Sequence, residues 1–345
     1  MNAFKYLAAY IPVALVFTAL LLGSYWVFLP VVVLFVIFPI LELFLHPSIK
    51  NLSQEEQLIS EKRGVYDLII YLLVPMQYAL LVFFLFQMTY DMPSWERFGM
   101  ILSMGLACGI IGINAAHELG HRNSILEHVL SKLLLLSSLY MHFFIEHNRG
   151  HHTRVSTPDD PASSKYGEPI YVFWCRSILF SYLSAWKLEK KRLSIQKKSF
   201  FSIRNEMIRF QLIQATLLIS IFLFFGWQIM CFFIASAFIG ILLLETVNYI
   251  EHYGLRRKLV NGKYERTLPI HSWNSNHPLG RIVLFELSRH SDHHYISSRK
   301  YQVLRHHDNS PQMPTGYPGM MLLALVPPLW FKVMHHRISA LSLQA

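Results

Sequence analysis

The sequence predicts an all-α integral membrane protein: six transmembrane helices with a histidine-rich cap on their cytoplasmic side. Three observations carry that reading. Hydrophobic residues make up 53% of the 345, charged ones only 15%, and mean hydropathy is +0.34. Several apolar runs approach or exceed the roughly 18 residues that argue for a membrane span. Finally, nine of the eighteen histidines fall in four short clusters, and a six-span threading puts all four on one side of the bilayer.

Taken in order, the first apolar run covers about 10–28 and the second about 31–46, a helical hairpin with its expected break at Leu29-Pro30. The first run has no small-residue cleavage pattern and leads at once into a second span, so it reads as retained rather than as a signal peptide. A polar loop, 47–63, leads to a third span at about 67–88, and YDMPSWER turns into a fourth at about 98–117. The stretch from Ile125 to Ile145 is long enough to cross. It carries Glu127, His128, Ser131 and Lys132 near its start, then Ser137, Ser138 and His142, and is expected not to cross. Spans five and six, about 210–225 and 227–248, meet at Gly226, and a last apolar piece, 320–334, is interrupted by Pro327-Pro328. The whole chain, 1–345, reads as one membrane-embedded domain whose polar segments, 117–205 and 249–345, lie outside the bilayer.

Charge orients the bundle. With the N-terminus cytoplasmic, the outer connections hold a single Arg, Arg97, and nearly every Lys and Arg falls inside, as the positive-inside rule requires. The net charge of +10 therefore reports basic loops facing anionic lipid, the run Lys187 to Lys198 above all, and not a nucleic-acid partner. A multi-pass topology follows, with the termini and histidines on the cytoplasmic side; a bacterial inner membrane is the expected location. Cys108, Cys175 and Cys231 form no CxxC pair, so neither a disulfide framework nor a cysteine metal site is indicated.

The organising stretch is IEHNRGHHTRVSTPDDPASS, which holds His147, His151 and His152. Upstream, HELGH places His117 and His121 four apart, on one helix face. NYIEHYG contributes His252, and LSRHSDHH contributes His290, His293 and His294. Neutral imidazole ligates iron, zinc, copper or nickel. A lone His pair is ordinarily incidental; four clusters on one side are not. Nine ligands exceed what one ion accepts, whereas two octahedral ions offer roughly twelve positions and leave about three open. Such a pair with open coordination suggests iron and oxygen chemistry rather than zinc. Glu118, Glu146, Asp159, Asp160, Asn248, Glu251 and Asp292 stand beside these histidines as candidates to orient them; solvated loop positions are the plainer reading of each carboxylate.

HELGHR, EHNRGHHTRVSTPDDPASS, NYIEHYG, HSWNSN, LSRHSDHH and the following RKYQVLRHHDNSPQMPTGYPGMMLLALVPPLW together resemble the integral-membrane alkane 1-monooxygenase family, within the histidine-box hydroxylases and desaturases. The resemblance runs from about span three to Trp330. It implies a six-span fold and a cytoplasmic diiron centre, two Fe ions held by the nine histidines named above. It also implies hydroxylation of the terminal methyl of linear, medium-chain alkanes by O2. Electrons would come from NAD(P)H through a reductase and rubredoxin, and a hydrophobic channel would guide the alkane. Arg122 stands where the family usually has Lys, Ser288 where Gln is common, and the N-terminal region is short. Three other readings have different signatures. A zinc protease using HELGH with Glu118 as base leaves seven histidines unexplained, and a metal transporter would place its histidines inside the spans. A desaturase or a lipid or carotenoid hydroxylase would share the metal centre and differ in substrate.

Overall fold

The computed structural model describes residues 3–342 and is mainly helical; among these residues the strands are a two-residue antiparallel pair, Leu259–Val260 with Lys263–Tyr264. Six helices are long and apolar enough to cross a membrane: α1 (Ala3–Leu22), α2 (Ser24–Phe44), α4 (Val65–Gln87), α5 (Ser94–Gly120), α9 (Glu206–Phe225) and α10 (Trp227–His252). The short α3 (Gln54–Lys62) lies in the loop between the second and third of them. Ser53 caps it, accepting a hydrogen bond from the Glu56 amide while Glu56 reaches back to the Ser53 N–H.

The first hairpin turns at Gly23, not at the expected Leu29-Pro30. Gly23 has φ +59°, a conformation that costs glycine little and a side-chain-bearing residue much. Pro30 sits in the first turn of a helical segment, Leu29–Val32, where its missing N–H would have had no partner, so the helix runs on past it. Beside the turn, the Ser24 amide donates to Glu96 at the start of α5.

α5 is the most enclosed of the six and α9 the least. Small residues let α5 and α10 approach closely: a Cβ on Gly240 would come within 2.6 Å of the Cys108 Cβ. The stretch from Ile125 to Ile145 contains no helix long and apolar enough to cross. α6 (Ile125–Leu136) is twelve residues, and the chain then bends, with Leu139 at φ +52°. A short helix, α7 (143–154), follows.

The polar segment between spans four and five also contains α8 (Ile170–Ile195), a 26-residue helix that the cationic run Lys187 to Lys198 conceals in the sequence. Its buried Glu189 accepts from Arg149 and Arg192, and Glu206 at the start of α9 accepts from Arg149 and Lys132. These pairs clamp α6, α7, α8 and α9 together. After α10 come α11 (Pro278–Val283) and α12 (His290–Tyr295), then α13 (Tyr317–Ala324) and α14 (Pro327–Ser342), which meet at 120° across the proline break.

Candidate metal centre

Three local features aim the histidines. His117 lies in the last turn of α5 and His121 just beyond it, one turn apart, with ring centroids 5.0 Å from each other. In α7 the residues His147–His151 form a π-helical turn. In an α-helix, residues five apart point about 140° away from each other. The wider turn instead brings the Nε2 atoms of His147 and His152 to 3.0 Å, while His151 is directed elsewhere. His252 is the last residue of α10, and the single turn of α12 presents His290, His293 and His294.

The nine rings divide into two groups. His117, His121, His147, His152 and His293 offer five nitrogens that all lie within 4.8 Å of one another, and His151, His252, His290 and His294 offer four. Within the first group, His147 Nε2 is 3.0 Å from His121 Nε2, and His293 Nε2 is 3.1 Å from His152 Nε2. In the second, His151 to His294 and His252 to His290 are each 3.2 Å apart. Metal–imidazole bonds of about 2.1 Å at right angles set neighbouring nitrogens about 3.0 Å apart. Hydrogen bonding alone cannot serve five mutually close ring nitrogens, since each neutral ring has one donor and one acceptor. The donor set fits two cations.

Electrostatics agree. Burial, reinforced by the neighbouring imidazoles, pushes His121, His147, His152, His290, His293 and His294 well below the ordinary histidine range, which keeps them neutral and their lone pairs free. His151 is the exception: burial opposes its protonation, but the Asp160 carboxylate outweighs burial and raises it.

Of the two aspartates in the TPDDPASS turn, Asp160 is the one turned inward. Its Oδ2 takes the His151 Nδ1 proton at 2.8 Å and the Ser163 hydroxyl at 2.6 Å, whereas Asp159 is exposed. Glu251 accepts from the Tyr317 hydroxyl at 2.6 Å and brings its other oxygen to 3.2 Å from His290 Nε2. Asn248 donates to Glu245, at 3.3 Å. The other three carboxylates bind cations rather than cluster histidines. Glu118 accepts from Arg122 and from the Tyr301 amide, Glu146 pairs with Arg154, and Asp292 holds Arg299, His307 and the Arg305 amide. Sequence reasoning passed over Tyr317 and Glu245. The second left a readable signal, a carboxylate within an apolar span.

A narrow apolar cavity runs between α2, α5 and α10, lined by Leu34, Phe38, Ile110, Leu243 and Val247, and leaves about 70 Å³ for the centres of water-sized spheres. His117, His147 and His290, which come from both groups, also line it, as do Glu251 and Asn248.

Residues 93–324 match the fatty acid desaturase family. Over 326 residues, 92% of this chain and 84% of the relative, the sequence is 43% identical to "Alkane 1-monooxygenase 1" of Pseudomonas aeruginosa. It is 41% identical over 309 residues, 89% of this chain and 76% of the relative, to "Alkane 1-monooxygenase" of Acinetobacter baylyi. A more distant relative, 29% identical over 77% of this chain and 72% of its own length, is the "Xylene/toluene monooxygenase hydroxylase component XylM" of Pseudomonas putida. With two histidine groups at the end of a six-helix apolar bundle and this likeness over nine-tenths of its length, the chain belongs to the alkane 1-monooxygenase family.

Proposed function

We propose that the protein hydroxylates the terminal methyl group of linear, medium-chain alkanes to 1-alkanols at a diiron site held by the nine histidines. The observation that carries this is an apolar cavity lined in part by members of both histidine groups. An alkane has no polar handle, and each buried CH2 contributes only about 0.8 kcal/mol, so selection rests on shape. A bore this narrow admits a chain end-on and offers its terminal carbon to the histidines first. Two irons bound there would supply reduction of O2 and transfer of one oxygen atom to a C–H bond. The residues of the chain do the rest: α2, α5 and α10 exclude water, Asp160 fixes the His151 ring, and Tyr317 fixes Glu251.

Electrons are proposed to come from NAD(P)H through a reductase and rubredoxin. A solvent-open cleft beside α7 is lined by Arg154 and Arg176, which pair with Glu146 and Glu168, by Asp159, and by Lys165 and Lys187, and it is these two lysines that offer an acidic carrier its complement. The proposed setting is a bacterial inner membrane, and the distribution of Lys and Arg supports the histidine end being cytoplasmic. Glu118 argues against a zinc protease, because Arg122 and the Tyr301 amide occupy it.

The test supplies iron-loaded membranes with O2, NADH, rubredoxin and its reductase, then offers linear alkanes of graded length beside fatty acyl substrates. Formation of 1-alkanols and about two irons per chain are expected. A desaturated or hydroxylated lipid as sole product would transfer the protein to the other branch of the family, and a single zinc would remove the diiron reading.

A further inference from the structure

Sharing a wall with the apolar cavity lies a second and much smaller one, which polar side chains line together with Phe143 and Ala162. Tyr140, His142, Glu146, Ser181, Glu245 and Asn248 surround it, and it leaves about 10 Å³ for the centre of a water. That is close to the least space that holds one molecule, and the polar groups around it exceed the two to four that a buried water needs. The two cavities share Phe143, His147 and Asn248 as walls. On its other side the small cavity is bounded by Glu146, whose partner Arg154 lines the solvent-open cleft between α7 and α8, of about 300 Å³.

Glu245 is the unusual member. It is buried on α10, inside a membrane-spanning segment, with 2% of its surface exposed and no cation among its hydrogen-bond partners. The Tyr140 hydroxyl donates to its Oε1 at 2.9 Å and the Asn248 amide donates to its Oε2 at 3.3 Å. The His142 ring packs 4.3 Å from that of Tyr140, and its buried Nε2 has no partner. A carboxyl group in such a place is costly. With the Asn248 amide turned over to accept, a glutamine amide could keep both contacts without that cost, so hydrogen bonding alone does not account for a carboxyl here. What an amide cannot do is take up and release a proton.

We propose that Glu245 relays protons from solvent to the oxygen-reducing site, through Tyr140, His142 and a water in the small cavity. The proposal rests on the monooxygenase reading above. That reaction, R–CH3 + O2 + 2 H+ + 2 e− → R–CH2OH + H2O, breaks the O–O bond and one C–H bond and forms one C–O bond. Its two electrons come from a one-electron carrier protein. Its two protons must cross a wall of buried side chains, and the apolar cavity has no groups to conduct them. Glu245 gives up a proton toward the metal centre through the cavity water beside Asn248 and is recharged through the Tyr140 hydroxyl, which His142 reprotonates in turn, so each turnover draws two protons from solvent and leaves the residue as it began.

The test compares wild-type, Glu245→Gln and Glu245→Asp full-length proteins, iron-loaded in lipid nanodiscs, with the substrate and reductant that serve the wild type. Glu245→Gln is expected to keep its iron, lose about 10²-fold in turnover, release hydrogen peroxide in place of product, and show an enlarged solvent isotope effect. Glu245→Asp is expected to recover part of the coupling. In the metal-free proteins, infrared difference spectra on exchange into D2O should show a carboxylic-acid C=O band that is missing from Glu245→Gln. Wild-type coupling and isotope effect in Glu245→Gln would overturn the proposal. So would loss of iron in both variants, which would make the residue structural. Alkane turnover by the wild type is scored separately, so a wrong substrate assignment is not mistaken for a failed relay.

Discussion

Asp160 receives the His151 ring, the Ser163 hydroxyl and the Ala162 amide, and among these partners it stays below the usual carboxylate range although burial pushes the other way. Its removal should loosen one ring of the four-histidine group without touching the fold of the bundle. Asp160→Asn is expected to lower iron affinity about 10- to 100-fold, read as faster iron loss to a chelator. His152→Ala, a change in the five-histidine group, should abolish activity and reduce iron content while leaving membrane insertion intact; full hydroxylation by that variant would remove His152 from the ligand set. The nine histidines were legible in the sequence because polar clusters stand out in a chain so apolar. The choice between Asp159 and Asp160 was not, since adjacent residues in a turn share every local signal. Nor could spacing pair Glu251 with Tyr317, 66 residues away.

Among the elements, span number and type were legible from apolar runs, but their ends depended on details of backbone conformation. Pro30 looked like a break and is a helix start, while the turn falls at Gly23, inside the first apolar run. The π-turn in α7 has no sequence signature, because it differs from an α-turn by one residue of hydrogen-bond spacing. α8 was missed because its lysines suggested a loop, while its buried face is spread over seven turns. At this scale the closest test is the α5–α10 seam. Gly240→Ala forces its new methyl against Cys108, and the backbone nitrogen of Gly109 is 2.9 Å away, so the side chain cannot swing clear. A loss of about 1–3 kcal/mol is expected, seen as a lower thermal midpoint in detergent.

For the whole molecule, one wall of the apolar cavity is separate from the metal centre. α2 lines the cavity and contributes no histidine, so its side chains can alter substrate length without altering the metals. Leu34→Trp is expected to shift the product profile toward shorter alkanes at unchanged iron content, with about 0.8 kcal/mol lost for each CH2 that no longer fits. Unchanged chain-length preference, measured by gas chromatography of the alkanols, would place the alkane elsewhere.

The division of one six-residue run between both histidine groups has a consequence for how the protein acquires its metals. His147 and His152 belong to one group and His151, lying between them, to the other, so a single π-turn is shared by two binding events. Whichever ion arrives first fixes that turn, and the second then meets a preordered ring instead of a mobile one. By reciprocity the second also holds the first more tightly. Titration of metal-free protein with ferrous iron should therefore be sigmoidal, with singly loaded molecules scarce at half saturation, and native mass spectrometry would count them directly.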